Sequence, residues 1–337
     1  MENLDALDRQ IGAALVCNAR ASWRLIADVI GQQERTIARR GNKLLDAGIV
    51  HTNAVVNPYT SGINSVFFLT LNAEPTAVRK VAAWLAVRGE TTWVTALSGS
   101  NACTAELILP TKELSHFLYE ELASLDGVQH FTMAPLLDYF RTVSGWRPAV
   151  LNDEQYLALQ GSEDSALASL RAGSRPDPLD ATNTALAQML RKNGRAAADE
   201  LASGLSISKA TVGRRLDAMI ASGALFIRAV VDPAAFGFPI ESLITISCHG
   251  RSDRAGRRLA IRPETRWAAA SDQHLLAQVA VASMGDLREL IEAIRSDDHV
   301  ATVRSSIVAA TFKRSTFIYR DKDPTAPSRG QHLEAAG

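Results

Sequence analysis

Apolar residues recur along this chain at two spacings, and the order in which the spacings appear repeats. Leu4, Leu7, Ile11 and Leu15 fall at i, i+3, i+7 and i+11, the stripe of a helix buried on one side. A short second helix is expected at about 22–30, with Ile26, Ala27 and Ile30 inward, followed by a break at Gly31. A third is expected over about 33–47, with Ile37, Gly41, Leu44 and Leu45 facing the same core. Gly48 stands where a helix C-cap needs positive φ. "IVHTNAVVNP" then turns β-rich and stops at proline, the mark of a short hairpin or wing.

The spacing changes downstream. "SVFFLTL", "TTWVTAL", "ACTAELIL" and "VQHFTMAPLLDYF" read as strands, with helices expected at "PTAVRKVAAWLAV" and "TKELSHFLYEELAS". The order βαββαβ is that of a ferredoxin-like sheet with both helices on one face. Its other face needs cover, which predicts that two such domains pair.

All of this occurs twice. At an offset of 175, residues 4–62 align with 179–237 without a gap and 17 of 59 pairs are identical, where unrelated segments would share about three or four. The identities include Leu4/Leu179, Asp5/Asp180, Asn18/Asn193, Arg20/Arg195, Thr36/Thr211, Arg39/Arg214, Arg40/Arg215, Gly48/Gly223 and Pro58/Pro233. In the second copy the break falls at Leu205-Ser206, and Val212, Leu216, Met219 and Ile220 take the inward positions of the third helix. "SLITISC", "DRAGRRLAI", "RWAAAS", "LLAQVAV", "GDLRELIEAIR" and "VATVRSSIVAATFK" repeat the βαββαβ order. The expected fold is therefore α+β: two winged helix-turn-helix (HTH) domains, each followed by a ferredoxin-like domain, with the two sheets packed as an intramolecular pseudo-dimer. The expected boundaries are 1–60 and 179–236 for the HTH domains and 61–143 and 237–320 for the ferredoxin-like domains. Residues 144–178 are read as a linker containing a short helix capped at Asn152, and 321–337 as a disordered polar tail.

Composition narrows the class. The 337 residues are 47% hydrophobic and 21% charged, with 36 basic and 36 acidic side chains, so binding driven by overall charge is not expected. Cys17, Cys103 and Cys248 are scattered and form no CxxC pair, which suits a reducing compartment. The N-terminus carries acids where a signal peptide carries bases, and no apolar run approaches the roughly 20 residues of a membrane helix. A cytoplasmic protein without membrane contact is expected. The seven histidines make no metal-ligand spacing, and no HExxH, GxxxxGK[ST] or GxSxG appears, so no catalytic site, metal or cofactor is expected. His116 is expected at a helix surface, and Trp84, Trp93 and Trp267 in cores or interfaces.

The chemistry concentrates on the third helix. In an HTH this helix enters the major groove with its N-terminal residues against base edges. Arginine suits guanine and phosphate oxygens, and Ser/Thr hydroxyls suit phosphates. The candidate DNA-binding residues are Gln32, Gln33, Glu34, Arg35, Thr36, Arg39 and Arg40 in the first copy. In the second they are Ser206, Ser208, Lys209, Thr211, Arg214 and Arg215. One arginine of each pair is also a candidate for a structural salt bridge to the neighbouring domain.

The opening "LDALDRQI" and the run "LSISKATVGRRLDAMIASGAL" resemble the Lrp/AsnC (feast/famine) family of transcriptional regulators, and the resemblance extends over 4–140 and 179–313. It implies double-stranded DNA as partner, an amino-acid-like effector sensed by the βαββαβ domains, and further assembly of pseudo-dimeric chains. Three departures stand out. Gly41 replaces an apolar residue that the second copy keeps as Leu216, which predicts a packing gap and a looser first HTH. The second copy opens "LDATNT", without the second acid. The acids of the family's effector turn are missing from "LSGSNACTAEL", and "SDQHLLAQV" lacks its glycine. Ser98, Gly99, Ser100, Asn101, Ser271, Asp272, Gln273 and His274 are then either an altered effector pocket or ordinary turn residues. Two other readings stand beside the regulator: a tetrapyrrole (siroheme-type) decarboxylase of the same architecture, and a metabolite sensor that no longer touches DNA.

Overall fold

The computed structural model describes residues 4–57, 65–99, 102–159, 177–315 and 317–319. The first half of the chain runs α1 (Ala6–Cys17), α2 (Trp23–Ile30), α3 (Glu34–Asp46), β1 (Val50–Val56), β2 (Val66–Ala73), α4 (Val78–Val87), β3 (Thr91–Leu97) and β4 (Ala102–Ile108). It continues through α5 (Leu114–His116, extended by a π turn to Leu122), β5 (Val128–Arg141) and α6 (Asp153–Leu159). The second half runs α7 (Ala181–Lys192), α8 (Ala198–Leu205), α9 (Lys209–Ala221), β6 (Leu225–Val231), β7 (Ile240–Cys248), α10 (Asp253–Ala260), β8 (Thr265–Ser271), β9 (Leu275–Val281), α11 (Met284–Arg295) and β10 (Val300–Arg314). A two-residue β11 (Phe317–Ile318) follows. The chain divides into two compact units that cut across the repeat. One lies within Met1–Gly62 and Ser144–Phe236, the other within Ile63–Val143 and Gly237–Ala326.

The first unit joins the two HTH domains through their wings. The expected hairpin is not formed. Each copy contributes one strand, and β1 pairs antiparallel with β6 in a two-stranded ribbon. Its register sets Asn53 opposite Arg228, and these are the same position of the repeat, so a local two-fold passes through that pair. Residues identical in both copies hold the junction. Arg20 donates to the Gly194 carbonyl at 2.7 Å, and Arg195 donates to those of Ala19 and Ala21 at 2.8 and 3.0 Å. The Gly194 amide bonds the Thr52 carbonyl, and a Cβ at Gly194 would come within 2.8 Å of the Asn53 nitrogen.

Part of the expected linker belongs to this unit. Asn152 and Gln155 cap α6 reciprocally (2.8 and 3.1 Å), and the helix then packs on the first HTH. The Asn18 amide donates to the Leu159 carbonyl at 3.0 Å and Gln155 to that of Val29 at 3.2 Å. Trp146 is buried against Phe236, whose ring lies on Gly12.

The gap expected at Gly41 is absent. A Cβ there would sit 2.4 Å from the ring of Trp23. Trp23 occupies the repeat position of Ala198, and Gly41 that of Leu216. The first copy sets a large residue against none where the second has alanine and leucine at the same positions, and the Arg195 guanidinium lies over the Trp23 ring at 4.4 Å. The first HTH is therefore filled by exchange of volume between helices.

The second unit is a closed ring of eight strands, β10–β3–β4–β2–β5–β8–β9–β7, returning to β10. The long strands close it. Residues 128–135 of β5 pair with β2 and residues 136–141 with β8 of the other half. Likewise, 300–307 of β10 pair with β7 and 308–314 with β3. Alternate side chains divide the sheet. Leu69, Leu71, Val94, Cys103, Ala105 and Leu107 form one helix-covered core, and Ile244, Ile246, Ala268, Ala277 and Val279 its twin. Trp93 and Trp267 meet edge to face at 5.7 Å, with Phe68 beside both. Glu106 is buried beside them and accepts hydrogen bonds from Thr92 (2.6 Å), Tyr139 (3.0 Å) and Trp267 (3.0 Å). Each long strand also sends a cation to carbonyls of the turn that follows the first helix of the opposite half. Arg141 bonds those of Arg262 and Thr265, and Lys313 that of Arg88. Glu241 on β7 ties Arg266 on β8 to Arg314 on β10, with Arg266 at 2.5 Å and the Arg314 contact bidentate.

Two expectations follow. Gly41→Leu overpacks the Trp23 contact and costs about 1–3 kcal/mol, whereas Trp23→Ala/Gly41→Leu, which installs the second copy's pair, recovers more than half of that loss in urea denaturation. Glu241→Gln leaves two buried guanidiniums without their carboxylate and costs about 3–5 kcal/mol. Burial alone would raise the Glu241 pKa, but Arg314 and then Arg266 outweigh it and hold the carboxyl below its ordinary value. Its contribution is therefore present above the unfolded-state value of about 4.3 and is lost as pH falls through the lower folded-state value. An acid titration of stability should show this component in the parent chain and not in Glu241→Gln.

Candidate DNA-binding surface

Each recognition helix is set by the turn before it. In the first copy α2 ends at Gly31 with φ 74°, and in the second α8 ends at Ser206 with φ 54°, so a serine holds the left-handed conformation that glycine takes at no steric cost. Ser208 then caps α9: its hydroxyl accepts from the Thr211 amide at 3.1 Å and lies 2.9 Å from the Thr211 hydroxyl. Gln33, at the same place before α3, makes no such side-chain bond.

The twin arginine pairs divide their labour. Arg40 bonds Asp5 at 2.7 Å and Asp8 at 2.9 Å. Arg215 bonds Asp180 at 2.7 Å and the Asn183 side chain at 3.0 Å. These partners lie at the start of α1 and α7, so Arg40 and Arg215 clamp each recognition helix to the first helix of its own domain. Of the residues expected to contact DNA, these two have guanidiniums already held by their own fold. The structural arginine expected in each pair is thus present, but its bridge lies within the domain. The carboxyls of Asp5 and Asp180 are held below the ordinary range, first by the amides of Asp8 and Asn183 and then by these arginines. The second acid missing from "LDATNT" is replaced by Asn183, which accepts the same hydrogen bond.

Arg39 and Arg214, the first members of the pairs, are exposed and make no ion pair among the described residues. The rest of the two surfaces differs. Arg35, Arg39 and Lys43 lie at i, i+4 and i+8 of α3, all exposed, an unbroken basic stripe. Their counterparts on α9 are Ala210, Arg214 and Ala218. Glu34 has Lys209 as counterpart, and Lys209 pairs with Asp199 of α8. Gln32, Gln33, Glu34, Ser206 and Ser208 are exposed beside these stripes, while Thr36 and Thr211 are half-buried.

The effector candidates are arranged as turns. Ser271 accepts from the amides of Gln273 and His274 at 3.2 and 3.0 Å, and Asp272 lies exposed between them. His274 Nδ1 lies 3.3 Å from Ser247 Oγ. Gly99, at φ 85°, and Ser98 form the exposed start of the corresponding turn, and Ser100 and Asn101 lie outside the described residues. Among the described residues no His/Cys/Asp/Glu group could hold a metal ion, and no helix is long and apolar enough to cross a membrane.

The junction residues Arg20, Arg195, Asn18 and Gly194 were legible as repeat identities or near-identities, yet nothing in a single copy announces that they face the other copy. Trp23 carried no sequence signal at all.

Comparison with known proteins agrees with this geometry. No family model matches the chain. An HTH-type transcriptional regulator of Mycobacterium tuberculosis is 31% identical over 137 residues, 39% of this chain and 93% of that protein. An uncharacterized HTH-type transcriptional regulator of Pyrococcus abyssi is 30% identical over 128 residues, 37% of this chain and 81% of that protein. The solved siroheme decarboxylase NirDL shares the fold across 92% of this chain and 93% of its own, with TM-score 0.57 and 13% identity. Nearly complete relatives thus match little more than a third of this chain, as a duplicated unit requires. The chain belongs to the Lrp/AsnC family of HTH-type transcriptional regulators, as a tandem duplication of its two-domain unit.

Proposed function

We propose that this chain is a sequence-specific DNA-binding regulator that presents two unlike recognition helices from one polypeptide to two half-sites. The observation that carries this reading is the pair of exposed helices, α3 and α9, related by the local two-fold at Asn53 and Arg228. Helix-turn-helix dimers use that relation to occupy successive half-sites. Arg39 and Arg214 are the shared contacts to base edges or phosphates, Arg35 and Lys43 add phosphate contacts under the first copy only, and Gln32, Gln33, Glu34, Ser206, Ser208 and Lys209 supply the unlike reading. Family membership further supports assembly of several chains, and an effector response in the eight-stranded unit.

The test is fluorescence anisotropy on the DNA upstream of the chain's own gene at several salt concentrations. Each lost phosphate contact lowers the slope of log K against log salt by about 0.9. Arg35→Ala/Arg39→Ala/Lys43→Ala should therefore remove between two and three units of slope, roughly, and Arg214→Ala about one. Equal losses would overturn the assignment of unequal roles, and absence of binding at low salt would favour the sensor or decarboxylase reading. An unbiased binding selection should return an asymmetric site, and a fully palindromic consensus would contradict the proposal.

A further inference from the structure

The two halves of the eight-stranded unit diverge behind the first helix of each. Matching hydrogen bonds equate the residues. The Arg88 amide bonds the Leu85 carbonyl as that of Arg262 bonds Leu259, and Ser124 Oγ bonds the Glu121 carbonyl as Ser296 Oγ bonds Ala293. On this register Trp84 corresponds to Arg258, Arg88 to Arg262, Glu121 to Ala293 and Leu125 to Asp297.

In the first half the space is filled. Trp84 stacks with Phe117 at 6.3 Å, and the Arg88 guanidinium lies over both rings at 4.5 and 5.3 Å. Arg88 is paired with Glu121 at 2.5 Å and Glu90 at 3.3 Å, and Leu125 packs against the core below. In the second half the corresponding place is a cavity of about 160 Å³. Ile246, Leu259 and Ile294 form its apolar wall, and Arg258, Arg262 and Asp297 stand around it. Arg258 turns to Asp297 at 3.0 Å. Arg262 keeps its place in the fold but has lost its acid, since Glu121 has become Ala293. Among the described residues it makes no ion pair, with Glu264, the counterpart of Glu90, or with any other acid.

We infer that this cavity is a binding site for a small monocarboxylate with a short apolar body. The charge balance is two guanidiniums against one carboxylate, which leaves one cation for one anionic head, and a guanidinium presents the fork that a carboxylate fits. The apolar wall takes the body. A volume near the roughly 150 Å³ that admits benzene suits a small ligand. One Asp297 oxygen already accepts from Arg258 and the other from the His299 amide at 3.0 Å. An α-ammonium group would add a second cation beside Arg262, where neither Asp297 oxygen is open to it and Glu264 does not line the cavity, so the site selects against amino acids. None of this depends on DNA binding, and none of the turn residues considered as effector ligands lines the cavity.

The experiment is calorimetric titration of the full chain with isovalerate, leucine and inorganic phosphate as probes. Isovalerate should bind once per chain in the millimolar range or tighter, and phosphate and leucine at least about tenfold more weakly. Arg262→Met removes the cation. Ala293→Glu and Arg258→Trp restore first-half residues at places where the fold already accepts them. Each should weaken isovalerate at least about tenfold while leaving the melting temperature near that of the parent. Isovalerate should also shift the methyl resonances of Ile246 and Ile294 in the unaltered chain, which locates the ligand without any variant. Absent binding, unshifted methyls, or affinity untouched by all three substitutions would overturn the site. Leucine or phosphate binding as well as isovalerate would overturn the assigned ligand class.

Discussion

A βαββαβ sheet with both helices on one face leaves its other face bare, and the organisation of the ring unit follows from covering it. Each half solves the problem with a final strand about twice the length of its neighbours. One end of β5 completes its own sheet and the other end opens the partner's, and β10 does the same in return. The exchange joins both edges of both sheets, so the ring has no free edge along its main strands. It also brings equivalent positions together, which is why Trp93 meets Trp267. The cations carried past the junction, Arg141 and Lys313, then fasten the turns after the first helix of the opposite half. Neither half is complete without the other.

Joining the halves covalently removes a requirement that a two-chain dimer must obey. In a symmetric dimer every substitution appears twice, so both copies of a contact change together. Here each copy drifts separately provided the shared volume and charge are conserved. Trp23 with Gly41 and Ala198 with Leu216 are two solutions to one packing problem. Trp84, Glu121 and Leu125 against Arg258, Ala293 and Asp297 are two solutions that differ in outcome: one is a filled cation sandwich, the other an open cavity. Other contacts are kept alike in both copies. Arg20 and Arg195 make reciprocal bonds across the junction and are identical, as are Arg40 and Arg215 in their clamps.

The helices, the strands and the duplication were legible because they rest on spacing, and spacing survives in one sequence. The pairing of the two sheets was legible for the same reason, since an unpartnered apolar face had to be covered. What a single copy could not show was which contacts run between copies. The wing read as a hairpin because β1 has the composition of one arm, while its partner, β6, lies 175 residues away. Gly41 read as a defect because the ring that fills it comes from another helix. Ser144–Leu159 read as linker because a seven-residue helix shows too few turns to reveal the face it buries. The arginine pairs drew attention to α3 and α9, but adjacent helical residues point about 100° apart. One member therefore had to face the body of the domain, and only the positions of Asp5 and Asp180 decide which.

That division bears on how an asymmetric regulator could work. Arg40 and Arg215 spend their charge inside the fold, so the charge facing outward is set by what surrounds Arg39 and Arg214. On α3 that is Arg35 and Lys43, and on α9 it is two alanines. Phosphate contacts govern affinity, its salt dependence and the position on the duplex, whereas base contacts read the sequence. Under the proposed function the first helix would anchor and the second would discriminate, with the ribbon at Asn53 and Arg228 fixing their relation. A two-fold dimer bound to a palindrome has no direction along the duplex. A chain with one strongly basic and one weakly basic reader does, because reversing it places the anchoring helix on the wrong half-site.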